Sequence, residues 1–170
     1  MSIWKLYRYE DQILAPTMVV TEQGVFIETQ PVQAVSADVK KDIVDLLVDV
    51  VSAKPELAQE SDLNEAGLPG SQPVLLEILN IRKWQDFEKR SLMYTLHRNG
   101  DELIMHVTGR GADGMWSIKD SEKQSFDVSN SVQDACELIA DELANRRPVK
   151  SPKLLGAPAL LPAPAPPENN

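Results

Sequence analysis

Apolar and polar positions along the chain change period several times, and each change marks an element. Residues 1 to 35 read as strands. In IWKLYRY, Trp4 and Leu6 alternate with Lys5 and Tyr7. MVV and VFI flank TEQG, a hairpin in which Gly24 can take the positive φ that a tight turn needs. Pro31 then limits regular pairing. From 38 to 53 the period lengthens to that of a helix, with Val39, Ile43, Leu46, Leu47, Val50 and Val51 on one face. Asp38 stands where an N-cap acceptor is wanted, and Lys54-Pro55 ends the helix. Residues 55 to 73 form a linker broken by Pro55, Gly67, Pro69, Gly70 and Pro73. VLLEIL, 74 to 79, fits a buried strand or a helical turn, and its length favours the strand. IRKWQDFEKR predicts a short helix with Trp84 and Phe87 on one face.

Asn99-Gly100, between the apolar runs of LMYTLHRNGDELIMHV, is the strongest short hairpin signal in the chain. A two-residue loop centred there pairs Leu96 with Leu103, Tyr94 with Met105 and Leu92 with Val107 on an apolar face. The other, mixed face pairs His97 with Glu102, Thr95 with Ile104 and Met93 with His106. MWSIK and QSFDV predict a second hairpin around DSEK. A final helix starts near Ser131 and buries Val132, Ala135, Cys136, Ile139 and Leu143. Arg146 and Arg147 stand in its last turn, where cations suit the helix dipole. The pattern predicts an α+β fold, one antiparallel sheet built from hairpins and packed with about three helices. Residues 1–147 form the domain. Residues 148–170 carry seven of the 12 prolines and no aromatic residue, which predicts an extended or disordered Pro/Ala-rich tail.

Composition narrows the class of partner. The chain has 170 residues, 42% of them hydrophobic, enough for a packed core. Its 26 acidic and 17 basic residues leave a net charge of -9, which argues against nucleic acid or an anionic membrane as partner. One cysteine excludes a disulfide framework and a cysteine-based zinc site. No run approaches the ~18 apolar residues of a membrane span, and MSIWKLYRYE has no signal core. A soluble, cytoplasmic protein is expected.

Candidate catalytic features are few. GRGADG, 109 to 114, matches the dinucleotide fingerprint in letters, but it lies between two strands with no helix to hold a pyrophosphate. It reads as a loop, with Arg110 and Asp113 exposed at its tip. His97 and His106 are the only histidines. The expected register sets them several residue pairs apart, too far to act together, and gives His97 a surface partner in Glu102. Two separated histidines also fall short of a metal site. Cys136, mid-helix on an apolar face, reads as a core residue. No cofactor and no enzymatic activity are expected.

The carboxylates remain. Asp38, Asp42, Asp45 and Asp49 follow at steps of 4, 3 and 4 residues, one stripe on the first helix, with Lys40 and Lys41 off it. Glu56, Glu60, Asp62 and Glu65 continue the charge into the linker. Residues 38 to 65 hold eight acids and three bases, half of the net -10 carried by residues 1 to 147. Aspartate is a poorer helix former than glutamate, and like charges in register repel by roughly 0.2–0.5 kcal/mol per pair. Two readings compete: a surface helix that simply keeps its outer face solvated, and a fixed anionic face for a basic protein partner. A straight helical stripe does not converge on a cation as a calcium loop does.

GVFIETQPV, the acidic helix, the proline-punctuated linker and WQDFEKR before paired strands occur in an order that resembles immunity proteins of bacterial contact-dependent growth-inhibition toxin systems. The resemblance spans roughly residues 1 to 147 and carries no fixed motif. It implies a non-enzymatic protein that binds a toxin domain, often a nuclease, and covers its active site. A nuclease must be basic to hold phosphates, so rigid carboxylates suit such a partner. Trp84, Trp116 or Tyr94 would supply aromatic anchors. Two other readings stand beside this one: an acidic chaperone or adaptor of a secreted effector, and a small enzyme using His97 or His106. The oligomeric state is left open.

Overall fold

In the computed structural model, which describes residues 2–58 and 74–148, the alternation of IWKLYRY becomes β1 (Ser2–Tyr9). The chain turns at Glu10, which takes a φ of 53°, into β2 (Gln12–Val20). β3 (Phe26–Ser36) returns beside it after the expected turn, where Gly24 has a φ of 79°. Pro31 perturbs this pairing as anticipated. Pro16 faces Val32 while Thr17 faces Thr29, so Gln30 and Pro31 bulge out of an edge strand.

α1 (Lys40–Ser52) buries Ile43, Val44, Leu46, Leu47 and Val51. Asp38 is not its N-cap. That position falls to Val39, without a side-chain capping bond, and the Asp38 amide donates to Ser36 Oγ instead. β4 (Glu56–Leu57) lies parallel to the end of β2.

VLLEIL is a helix rather than a strand: α2 (Val74–Ile78) buries Val74, Leu75 and Leu76. The reason lies just beyond the apolar run. Asn80 takes a left-handed φ of 52°, its amide donates to Glu77 O, and the Ile81 amide donates to Leu76 O at 2.8 Å. These two bonds make a Schellman cap, with Ile81 packed against the cluster that includes Leu76. α3 (Trp84–Arg90) follows as expected, with the Trp84 and Phe87 ring centres 5.0 Å apart.

β5 (Ser91–Asn99) and β6 (Glu102–Arg110) form the strongly signalled hairpin, but its register differs by two residues from expectation. Tyr94 faces Val107, Leu96 faces Met105, and His97 faces Ile104 rather than Glu102. The loop is Gly100-Asp101, not Asn99-Gly100. Gly100 has a φ of 61° and Asp101 is not among the residues of positive φ, the signature of a type II′ turn with glycine at its first central position. A shift of two keeps every side chain on its expected face.

MWSIK and QSFDV do not form a second hairpin. They are the two ends of one strand, β7 (Trp116–Asp127), which follows β6 with a register shift after Val107. α4 (Val132–Asn145) starts under a Ser131 cap whose hydroxyl accepts from the Asp134 amide at 3.1 Å. It ends before Arg146 and Arg147, which therefore lie beyond its last turn.

The sheet order is β3-β2-β1-β5-β6-β7, antiparallel along this path, with β4 parallel beside β2. Helices cover both faces. Trp4, Leu6, Ile13, Tyr94, Leu96, Leu103 and Met105 meet α1 and α4 in the larger core. Tyr7, Tyr9 and Leu14 meet α2 and α3 in a smaller, aromatic one. Under α4 lies Arg8, fully buried, whose Nη1 donates to the carbonyl of Leu143 and, at 2.9 Å, to that of Ala144. The guanidinium thus satisfies carbonyls that the helix end leaves without partners. Residues 149–170, where a tail is expected, lie outside the described residues.

Candidate protein-docking surface

The apolar spacing of α1 turns its opposite face to solvent, and Asp42, Asp45 and Asp49 are exposed there. The four expected aspartates are not one stripe. Asp38 precedes the helix and faces Arg147 at 3.8 Å. Lys41 is not off the stripe either: its Nζ sits 2.5 Å from Asp45 Oδ2, one turn away on an exposed surface. The hydrogen bond to Asp45 and then its charge raise the lysine pKa. Such a pair is screened by water and readily exchanged. Asp42 and Asp49 have no ion-pair partner among the described residues. Glu56 is exposed on β4, past the C-terminal end of α1. Glu60, Asp62 and Glu65 lie outside the described residues.

The fold adds a second acidic row that the sequence reading missed. α4 packs beside α1 on the same sheet face, with Lys40 of α1 reaching Asp141 of α4 at 2.7 Å. Asp134, Glu137 and Asp141 repeat the steps of 3 and 4 residues seen at Asp42, Asp45 and Asp49. Asp134 and Glu137 are exposed and Asp141 is half-exposed. Together α1 and α4 carry seven carboxylates and two lysines. Leu138 stands on the outer side of α4, next to Glu137 and 59% exposed. The signal was in the sequence: α4 has no basic residue, and its acids share the spacing of α1.

Around α3, on the far side of the sheet, the charge has the opposite sign. Arg82, Lys83, Lys89 and Arg90 surround α3 against Asp86 and Glu88. Arg90 pairs with Glu10 and lies 5.0 Å over the Tyr9 ring. The aromatic residues expected as anchors do not reach the acidic face. Tyr94 is fully buried, while Trp84 and Trp116 pack edge to face, 5.5 Å apart, on the α3 side.

The remaining candidates fall into place. GRGADG closes the β6–β7 connection and no helix follows it. Arg110 is not exposed at a tip: it is half-buried in β6 and donates to Gly114 O at 2.5 Å and to Ser91 O. Asp113 is exposed, and its Oδ1 accepts from the Met115 amide. Cys136 is fully buried, and burial pushes its thiol up to about 11. The two histidines, expected far apart, have ring centres 5.3 Å apart and planes within 15°. The register brings this about, placing His97 beside Ile104 and His106 beside Thr95, two rungs apart and diagonal to one another on one face. Burial, then the charges of His97 and Lys123, lower the His106 pKa. Neither ring has a hydrogen-bonding carboxylate among the described residues to orient it. The shallow concavity beside His97 is lined by Arg98, Asn99 and Gly100 and does not include His106. No group of three or more potential metal ligands occurs among the described residues. Among them, too, no helix is long and apolar enough to cross a membrane.

No family model and no curated protein matches the sequence. Solved structures do resemble it. A protein of unknown function from Neisseria meningitidis aligns with a TM-score of 0.56 at 9% identity, over 85% of this chain and 93% of the other. A chain of the CdiA-CT/CdiI toxin and immunity complex from Yersinia pseudotuberculosis aligns with a TM-score of 0.54 at 16% identity, over 84% of this chain and 94% of the other. At these identities the likeness establishes a shared fold, and it agrees at that level with the resemblance read from GVFIETQPV and WQDFEKR.

Proposed function

We propose that the chain is a non-enzymatic immunity-type protein that binds a basic toxin domain through the α1–α4 face and covers its active site. The observation that carries this reading is the double row of carboxylates, Asp42, Asp45 and Asp49 beside Asp134, Glu137 and Asp141. Both rows are held on packed helices, so little ordering entropy is lost on binding. A face of net negative charge, its two lysines notwithstanding, speeds the encounter with a basic partner and disfavours acidic ones. Leu138 supplies an apolar contact beside the charge, next to where water is most readily expelled. The fold held in common with a chain of a toxin and immunity complex supports the same reading.

The test is neutralisation. Cells producing the basic toxic domain encoded beside this chain's gene should grow when the full chain is coproduced, and the two should purify as one complex. Growth arrest despite stable production of the chain, with no complex recovered, contradicts the proposal.

A further inference from the structure

The β5–β6 register does more than set the core. It gathers the chain's only two histidines on the sheet face opposite the acidic helices. We propose that His97 and His106 form a two-imidazole chelate for a divalent late first-row transition-metal ion, with the other coordination positions left to water or an incoming ligand.

Geometry is the first support. A tetrahedral ion bound at about 2.0–2.1 Å by two imidazole nitrogens places each ring centre about 3.2 Å from the metal and the two centres about 5 Å apart. The observed separation is 5.3 Å. The rings are stacked there, with planes within 15°, so chelation asks both to rotate until one nitrogen of each converges on the ion. Both positions lie within paired strands, which fix the Cα atoms in advance. Both side chains are half-exposed, so an ion can reach them.

The surroundings set the strength. Thr95 and Ile104, directly across the ladder, bring no charge. From β1, Ile3 lies beside His97, and Lys5 is held by Glu28 at 2.7 Å. From β7, Ser125 faces Ile104, and Lys123 faces His106 and opposes a cation. Two rungs further on, Glu102 and Asp127 stand opposite one another across the strands, and among the described residues they join no group of three metal ligands. Two nitrogens and no carboxylate select Cu2+ ahead of Ni2+ and Zn2+, in the order that imidazole sites follow, and exclude Mg2+ and Ca2+.

The experiment titrates the untagged, metal-stripped full chain with CuCl2, ZnCl2 and MgCl2 by calorimetry. Proton NMR follows both imidazoles as Cu2+ is added. One Cu2+ per chain should bind, Zn2+ more weakly and Mg2+ not at all. Both imidazole resonances should broaden together at substoichiometric Cu2+. His97→Ala and His106→Ala should each weaken binding by at least about tenfold, the loss that even an outer-shell partner of a ligand causes. Lys123→Gln should tighten binding by removing a facing charge. Broadening of one imidazole alone, or affinity within twofold of the parent in either alanine variant, overturns the proposal. The NMR arm uses the unaltered chain, so it stands even if a variant fails to fold.

Discussion

Arg8 on β1 and Leu143 near the end of α4 lie 135 residues apart in sequence, yet the guanidinium of one caps the carbonyl of the other inside the protein. Among the described residues only Nη1 finds partners; Nε and Nη2 are buried without any there. Burial lowers the arginine pKa, so the charge is held at a cost. Arg8→Met keeps most of the volume and removes that cost, but leaves the Leu143 and Ala144 carbonyls uncapped. The expected loss is about 2 kcal/mol, the scale of a hydrogen bond to a charged group, measured by urea denaturation. Arg8→Ala should lose more, because a cavity is added.

Asn80 holds the left-handed position that ends α2. A side chain with a Cβ and no amide pays about 1–2 kcal/mol there. Asn80→Ala should therefore destabilise the protein by about 1 kcal/mol, and Asn80→Gly should be neutral or stabilising. Thermal melts of the two variants check the difference. Equal melting temperatures would contradict the Schellman assignment.

Cys136 gives a pH dependence of known sign. Its thiol is raised from 9.0 to about 11 in the folded chain, so the folded state keeps the proton that the unfolded state releases. Its contribution to stability is fully present below pH 9 and is lost as pH rises through about 11. Cys136→Ala should remove that part of the alkaline loss. In the parent, a thiol reagent at pH 8 should react only as fast as the protein opens, and fast modification of the native state would contradict the buried placement.

Leu138 separates folding from binding. It is 59% exposed, so Leu138→Glu should leave the melting temperature within a degree or two. If it lies in the interface, the same change should weaken toxin binding by more than about tenfold, the mark of a contact worth over 1.4 kcal/mol. Calorimetry with the cognate domain reads both the affinity and the stoichiometry.

Side-chain faces were more legible in the sequence than pairings. Leu96, Tyr94, Met105 and Val107 face the core as the alternation demands, yet the hairpin register is shifted by two residues. Periodicity fixes parity only, and Asn99-Gly100 and Gly100-Asp101 are both acceptable turns; the type II′ geometry at Gly100 decided between them. That choice is also why the histidines met unexpectedly. VLLEIL was too short for its period to distinguish strand from helix, and Asn80, outside the run, carried the answer. β7 was split in two because DSEK has turn-like composition, while pairing with β6 carries the strand through it. Of the candidate surface, the α1 aspartates were visible from spacing. The α4 row has the same spacing, but only the packing of α1 against α4 brings the two helices together on one face of the sheet.

The central claim is that the α1 carboxylates meet a basic partner. Asp42, Asp45 and Asp49 are exposed and away from both cores, so changing all three to asparagine should leave the melting temperature essentially unchanged. The decisive measurement is the dissociation constant for the proposed basic toxin domain, taken from low to high salt, for the parent and the triple variant. The account predicts weaker binding, slower association and a flatter salt dependence in the variant. Identical affinity and an identical salt slope would remove this face from the interface and contradict the account.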